Sequence, residues 1–123
     1  MKRILIAALT ILLLLFSVSP SFAAGLSVKA SVAKPTITQN SKQTVTVVVK
    51  DLKGKPVLGA LGTLAVHYKT KNITYAISKT NTKGVSIVSF GIGRATKGFK
   101  VNCDAVMKKG KLTGAGRTSF VTK

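Results

Sequence analysis

The chain has 123 residues, with 20 Lys or Arg against 2 Asp or Glu and a formal net charge of +18 at pH 7. Paired-carboxylate catalysis has only Asp51 and Asp104 to draw on, and a calcium site is left short of oxygen ligands. The one cysteine, Cys103, can form no internal disulfide, so the core alone must hold the fold.

Met1-Lys2-Arg3 is a basic start, residues 4–16 are apolar apart from Thr10, and small residues follow up to Ala23. This is the order of a signal peptide: basic, apolar, small-residue cleavage site. Ser21 and Ala23 satisfy the small-x-small rule, so cleavage is expected after Ala23, with residues 1–23 as leader and 24–123 as the mature domain. A helix over the apolar run spans about 20 Å, short of a bilayer core of about 30 Å. The alternative is an uncleaved anchor extending through Phe22. No cysteine lies near the cleavage site, which argues against a lipoprotein. Cleavage leaves 123 − 23 = 100 residues, enough for one domain, and removes Lys2 and Arg3, so the charge becomes +18 − 2 = +16. The expected location is outside the cell, secreted or held at the surface.

In chain order, residues 26–33 alternate Leu26, Val28, Ala30 and Val32 against polar neighbours, which predicts a strand. Pro35 limits pairing, and residues 36–38 are expected as a short continuation before the polar corner 39–42. Residues 44–68 read as strand, turn, strand. Val45, Val47 and Val49 share one face of a β-branched run, Gly54 and Pro56 break it, and Ala60, Gly62, Leu64, Val66 and Tyr68 resume an inward row. Two such strands need a second sheet to cover their apolar side. Residues 73–78, 85–92, 99–107 and 112–122 supply further strands, with turn residues at 80–84, 93–98 and 108–111. Seven segments at short spacing, with no sustained helical periodicity, predict an all-β, seven-stranded Ig-like antiparallel sandwich behind the signal peptide.

Three stretches carry a resemblance. Residues 51–60, DLKGKPVLGA, resemble the D-x-x-G-x-P-V-x-G-A signature of bacterial Ig-like domains of the invasin/intimin group. Residues 80–86, TNTKGVS, are similar to that family's T-(N/D)-x-x-G-V-A turn, with Ser86 in place of a small apolar residue. Residues 95–101, ATKGFKV, resemble its A-x-x-G-x-Y-x-V lead into a late strand. The motifs stand in the family's order across nearly all of the mature domain. The resemblance implies a spacer, adhesion or binding module. This chain departs from the family in its extra lysines and in carrying a single such domain where members usually stand in arrays.

Chemical groups are sparse. Asp51 is expected to bridge backbone amides of its turn, and Asp104 to be a solvated charge near lysines. Cys103 sits in the alternating row Phe99, Val101, Cys103, Ala105, Met107 and reads as a small buried apolar residue; an intermolecular disulfide or reactive thiol would need it exposed. His67 falls with Thr63 and Lys69, opposite to Cys103, so the two cannot act as base and nucleophile. His67 has no second zinc ligand at useful spacing. No G-x-S-x-G or Walker loop occurs, and Asn72-Ile73-Thr74 matches the glycosylation pattern by chance. No catalytic residue, metal, cofactor or small-molecule substrate is expected.

The charge remains. On an Ig-like topology the connections at 50–59, 79–84 and 108–111 share one end, bringing together Lys50, Lys53, Lys55, Lys79, Lys83, Lys108, Lys109 and Lys111. Lys34, Lys42, Lys69, Lys71, Arg94 and Lys97 are expected at the other. Lysine dominates over arginine, which favours point-charge attraction to anionic envelope or extracellular polymers. The few aromatics fit inward rows, so DNA binding should be weak, non-specific and salt-sensitive. Two other readings stand beside capture of a polymer: lysines that only solubilise the surface, and a structural module that packs on another exported protein.

Overall fold

Alternating apolar and polar residues give nine strands in residues 23–123, the region of the chain that the computed structural model describes. They are β1 Ala23–Ala24, β2 Leu26–Val32, β3 Thr36–Ile37, β4 Lys42–Asp51, β5 Leu61–His67, β6 Asn72–Ile77, β7 Val85–Gly91, β8 Lys100–Lys109 and β9 Leu112–Thr122. The expected leader, apart from Ala23, lies outside the described residues. Seven strands have six residues or more and coincide with the seven predicted segments; β1 and β3 have two residues each.

The strands form two sheets. The larger runs β1-β9-β8-β5-β6, with β3 also on β9; the smaller runs β2-β4-β7. Their inner rows make one core. β4 contributes Val45, Val47 and Val49, β5 Leu64 and Val66, β8 Val101, Cys103, Ala105 and Met107, and β9 Phe120. Tyr75 of β6 stacks on Phe90 of β7 with centroids 4.8 Å apart, joining the sheets along one side. Along the other side β2 crosses close over β9. A Cβ on Gly114 or Gly116 would run into the backbone carbonyls of Leu26 or Val28, so these positions hold glycine for space. The link between β4 and β5 passes from the small sheet to the large one, so these strands belong to opposite layers.

The stretch at 36–38 does not continue the first strand. After Val32 the chain leaves the small sheet, and Thr36–Ile37 pairs in parallel with Val121 and Thr122 of β9. Pro35 marks the crossing, where the ladder of β2 lapses. Gln43, fully buried, fills the gap: Lys34 N–H donates to Gln43 Oε1 at 3.1 Å, and Gln43 Nε2 donates to the Lys34 carbonyl at 2.7 Å. A single side-chain amide thus replaces a missing strand partner, which a buried backbone requires.

Candidate functional site

Two turns build the end of the sandwich where β4, β6 and β8 finish. In the first, Asp51 Oδ1 accepts from the N–H groups of Lys53 (2.8 Å) and Lys55 (2.9 Å), and Gly54 N–H donates to the Asp51 carbonyl at 3.0 Å. In the second, Asn81 Oδ1 accepts from Lys83 (2.9 Å) and Val85 (3.0 Å), and Gly84 N–H donates to the Asn81 carbonyl at 2.9 Å. The bond patterns are the same, which explains the shared D/N-x-x-G spacing: a short acceptor side chain starts each loop, and glycine takes a left-handed φ of 83° or 76°. The Lys55 N–H, and after it that of Lys53, hold the Asp51 carboxyl below its ordinary range, against a partial opposing effect of desolvation. Thr80, buried, ties the turns together: its Oγ1 donates to the Val57 carbonyl and accepts from Ala60 N–H at 2.9 Å.

Lysines surround this frame. Lys50 lies in the last two residues of β4, Lys53 and Lys55 ride the first turn, and Lys79 and Lys83 flank the second. Lys108 and Lys109 end β8, and Lys111 sits in the hairpin to β9. All eight candidate residues therefore lie at one end. The opposite end holds Lys34, Lys42, Lys69, Lys71, Arg94 and Lys97, and also Lys100 at the start of β8 and Lys123 after β9. The expected eight-to-six polarity becomes an even distribution, because both strand termini point the same way.

No lysine among the described residues is within ion-pair distance of an aspartate; Asp104 pairs with His67 and Arg117 instead. Asp104 is thus not the solvated charge expected from the sequence. On the outer face of the large sheet, Arg117 Nε donates to its Oδ1 at 2.6 Å and His67 Nε2 lies 2.9 Å from its Oδ2, while His67 Nδ1 lies 2.9 Å from Asn72 Oδ1. Four strands are linked in a row, β6-β5-β8-β9. The Arg117 guanidinium, and after it His67, draw the Asp104 carboxyl below its usual range. Both imidazole nitrogens face oxygen acceptors, so an imidazolium fills both bonds, whereas a neutral ring needs the Asn72 amide turned over.

Asp104 opposite Arg117 was within reach of the sequence. The two-residue loop Gly110-Lys111, with φ 60° at glycine, suits a type II′ hairpin turn and fixes the register. Five residues back from Lys109 and five on from Leu112 reach Asp104 and Arg117. His67, in contrast, reaches Asp104 on a diagonal between neighbouring strands, which only the sheet order reveals.

Cys103 points inward and is fully buried; burial pushes its thiol up to about 12, with Asp104 adding to the effect. His67 and Cys103 sit on adjacent strands and opposite faces. No cluster of three or more His, Cys, Asp or Glu that could hold a metal occurs among the described residues.

No protein-family model and no curated protein matches the sequence. Among solved structures, the chain is similar to a crystal structure of the CARDB domain of a Pyrococcus furiosus protein in complex with di-metal ions, at 15% identity and TM-score 0.47, covering 85% of this chain and 95% of that one. It is also similar to a solution NMR structure of the same domain, at 13% identity and TM-score 0.47, covering 82% and 96%. The two sheets and their order make residues 23–123 an all-β Ig-like sandwich.

Proposed function

We propose that the chain is an exported, non-enzymatic Ig-like binding or adhesion module, secreted or held at the cell surface, whose lysine-rich loop end contacts anionic polymers of the envelope or extracellular medium. One observation carries this reading: Lys50, Lys53, Lys55, Lys79, Lys83, Lys108, Lys109 and Lys111 share one end and, among the described residues, pair with no aspartate, although the other end carries as many cations. The nearby Asp51 is already engaged by its own turn. Unpaired cations on rigid turns attract a polyanion through a long-range, salt-screened field. Kinship with bacterial Ig-like domains of the invasin/intimin group belongs to the same proposal. It is supported by the two D/N-x-x-G turns, whose hydrogen bonds account for the motif residues.

The test is co-sedimentation of residues 24–123 with isolated cell wall, before and after its anionic polymers are stripped, over a salt series. Polymer-dependent binding that weakens steeply with salt is expected. Absence of binding at low salt removes the polymer reading. A second reading, docking on another exported protein, is favoured by the free edge strands. β6 and β7 each pair on one side only and contain no charged residue, although the chain is rich in lysine.

A further inference from the structure

At the end opposite the eight lysines, a cleft of about 250 Å³ opens between the β5–β6 hairpin and the 91–96 loop. Lys69 and Lys71 line one wall and Arg94 the other. Both aspartates are engaged elsewhere, and no ion pair to any of these three occurs among the described residues. Thr70 and Thr96 add hydroxyls, and buried Ile92 and Ala95 are among the lining residues. Buried Tyr68 also lines it, and its hydroxyl has no hydrogen-bond partner among the described residues.

The walls are fixed. Tyr68 N–H donates to the Lys71 carbonyl at 2.9 Å, closing the hairpin. The facing loop is held on the 39–41 corner: Asn40 N–H donates to the Gly93 carbonyl (2.6 Å), Ile92 N–H to the Ser41 carbonyl (3.0 Å), and Gln39 Nε2 to the Ala95 carbonyl (2.9 Å). Gly93, at φ 57°, makes the bend that presents Arg94. The eight lysines at the far end are spread over strand ends and turns, whereas these three cations share one concavity.

We infer that this cleft binds a single phosphoryl group, free or esterified, between the Arg94 guanidinium and the ammonium groups of Lys69 and Lys71. The volume is below the roughly 300–1,000 Å³ of ordinary small-molecule sites, so the ligand group is small. The charged side chains are all donors, which calls for an acceptor-only ligand. The guanidinium fork matches phosphate oxygens, and lysine supplies point charge. The site stands independently of the polymer reading, which rests on the other end.

The test is an amide NMR titration of the purified chain with inorganic phosphate and, separately, with dimethyl phosphate, at ionic strength held constant with sodium chloride. Saturable shifts confined to residues 68–72 and 91–96 are expected. Saturation by both ligands shows a site that admits a phosphodiester, and saturation by inorganic phosphate alone confines it to the free ion or a phosphomonoester. Arg94→Gln is expected to weaken binding about tenfold or more, the effect of losing one charged hydrogen bond. Lys29→Gln, on the outer face of the small sheet, leaves it unchanged. Linear shifts spread over both ends with either ligand, or an Arg94→Gln variant that binds as well as the parent, overturn the inference. A chain that passes here and fails to sediment with wall polymer keeps the cleft and loses only the polymer reading.

Discussion

Arg117 faces Asp104 across the β8–β9 pair, its Nε 2.6 Å from the carboxylate. This contact, with His67 on the other oxygen, lowers the carboxyl's affinity for protons in the folded chain. A carboxyl depressed by folding stabilises the fold fully above its ordinary value of about 4 and loses that contribution as pH falls toward the depressed value. Asp104→Asn is therefore expected to be less stable by about 0.5–1 kcal/mol at pH 7, the upper range for a surface pair. Urea denaturation at pH 7 and pH 2 checks this: the gap between variant and parent should narrow at pH 2, and an equal gap at both values contradicts the assignment.

The paired turns give a matched comparison. Gly54 and Gly84 occupy equivalent positions, with φ of 83° and 76°. A methyl group at Gly54 meets nothing, whereas one at Gly84 runs into the Val49 carbonyl and Pro56. Gly54→Ala is expected to cost about 1–2 kcal/mol, from backbone conformation alone. Gly84→Ala adds an overpacking cost of about 1–3 kcal/mol. Thermal unfolding reads the difference, at roughly 4–8 °C per kcal/mol for a domain of this size. Equal shifts in the two variants would refute the close-approach argument.

Cys103 should be silent in the folded chain. It is fully buried, and its thiol is held protonated well above neutral pH. A thiol-specific chromogenic reagent is expected to react promptly in denaturing urea and only at the rate of unfolding in buffer. Immediate labelling of the native chain would place the side chain at the surface.

The free edge of the small sheet is exposed to pairing with other chains. Ile87, in the middle of β7, is 58% exposed. Ile87→Lys is expected to reduce light scattering on heating while changing stability by no more than about 0.5 kcal/mol, since a lysine blunts an edge strand and the position is not core. Unchanged aggregation in this variant would move the liability to β6.

Alternation made most of the sandwich legible. Rows such as Val45-Val47-Val49 and Val101-Cys103-Ala105 fall inward because side chains in a strand alternate strictly, and that needs no knowledge of partners. Asp51 was readable for the same local reason, since a carboxylate before x-x-Gly bonds its own turn. Features that depend on which strands lie side by side were not. Gln43 looks like one more polar corner residue until β3 is seen to cross to the other sheet and leave Lys34 needing partners. His67 needs β5 beside β8 before Asp104 comes within reach. The cleft joins residues 68–73 to residues 91–96, and nothing in either stretch announces the other.

The parallel pairing of β1 and β3 with β9 has a mechanical consequence. Ala24 lies beside Thr113 near one end of β9, and Ile37 lies beside Thr122 at the other. A pull between Ala24 and Lys123 runs along these strands and slides them past each other. Hydrogen bonds that lie across the direction of pull are loaded together, whereas those of a hairpin drawn from its open side break in succession. Both parallel patches are placed in shear, with the β2 crossing between them anchored in the opposite sheet. Tension applied through the two ends of the described chain is therefore carried along the long axis of the sandwich, as in a link of a tether.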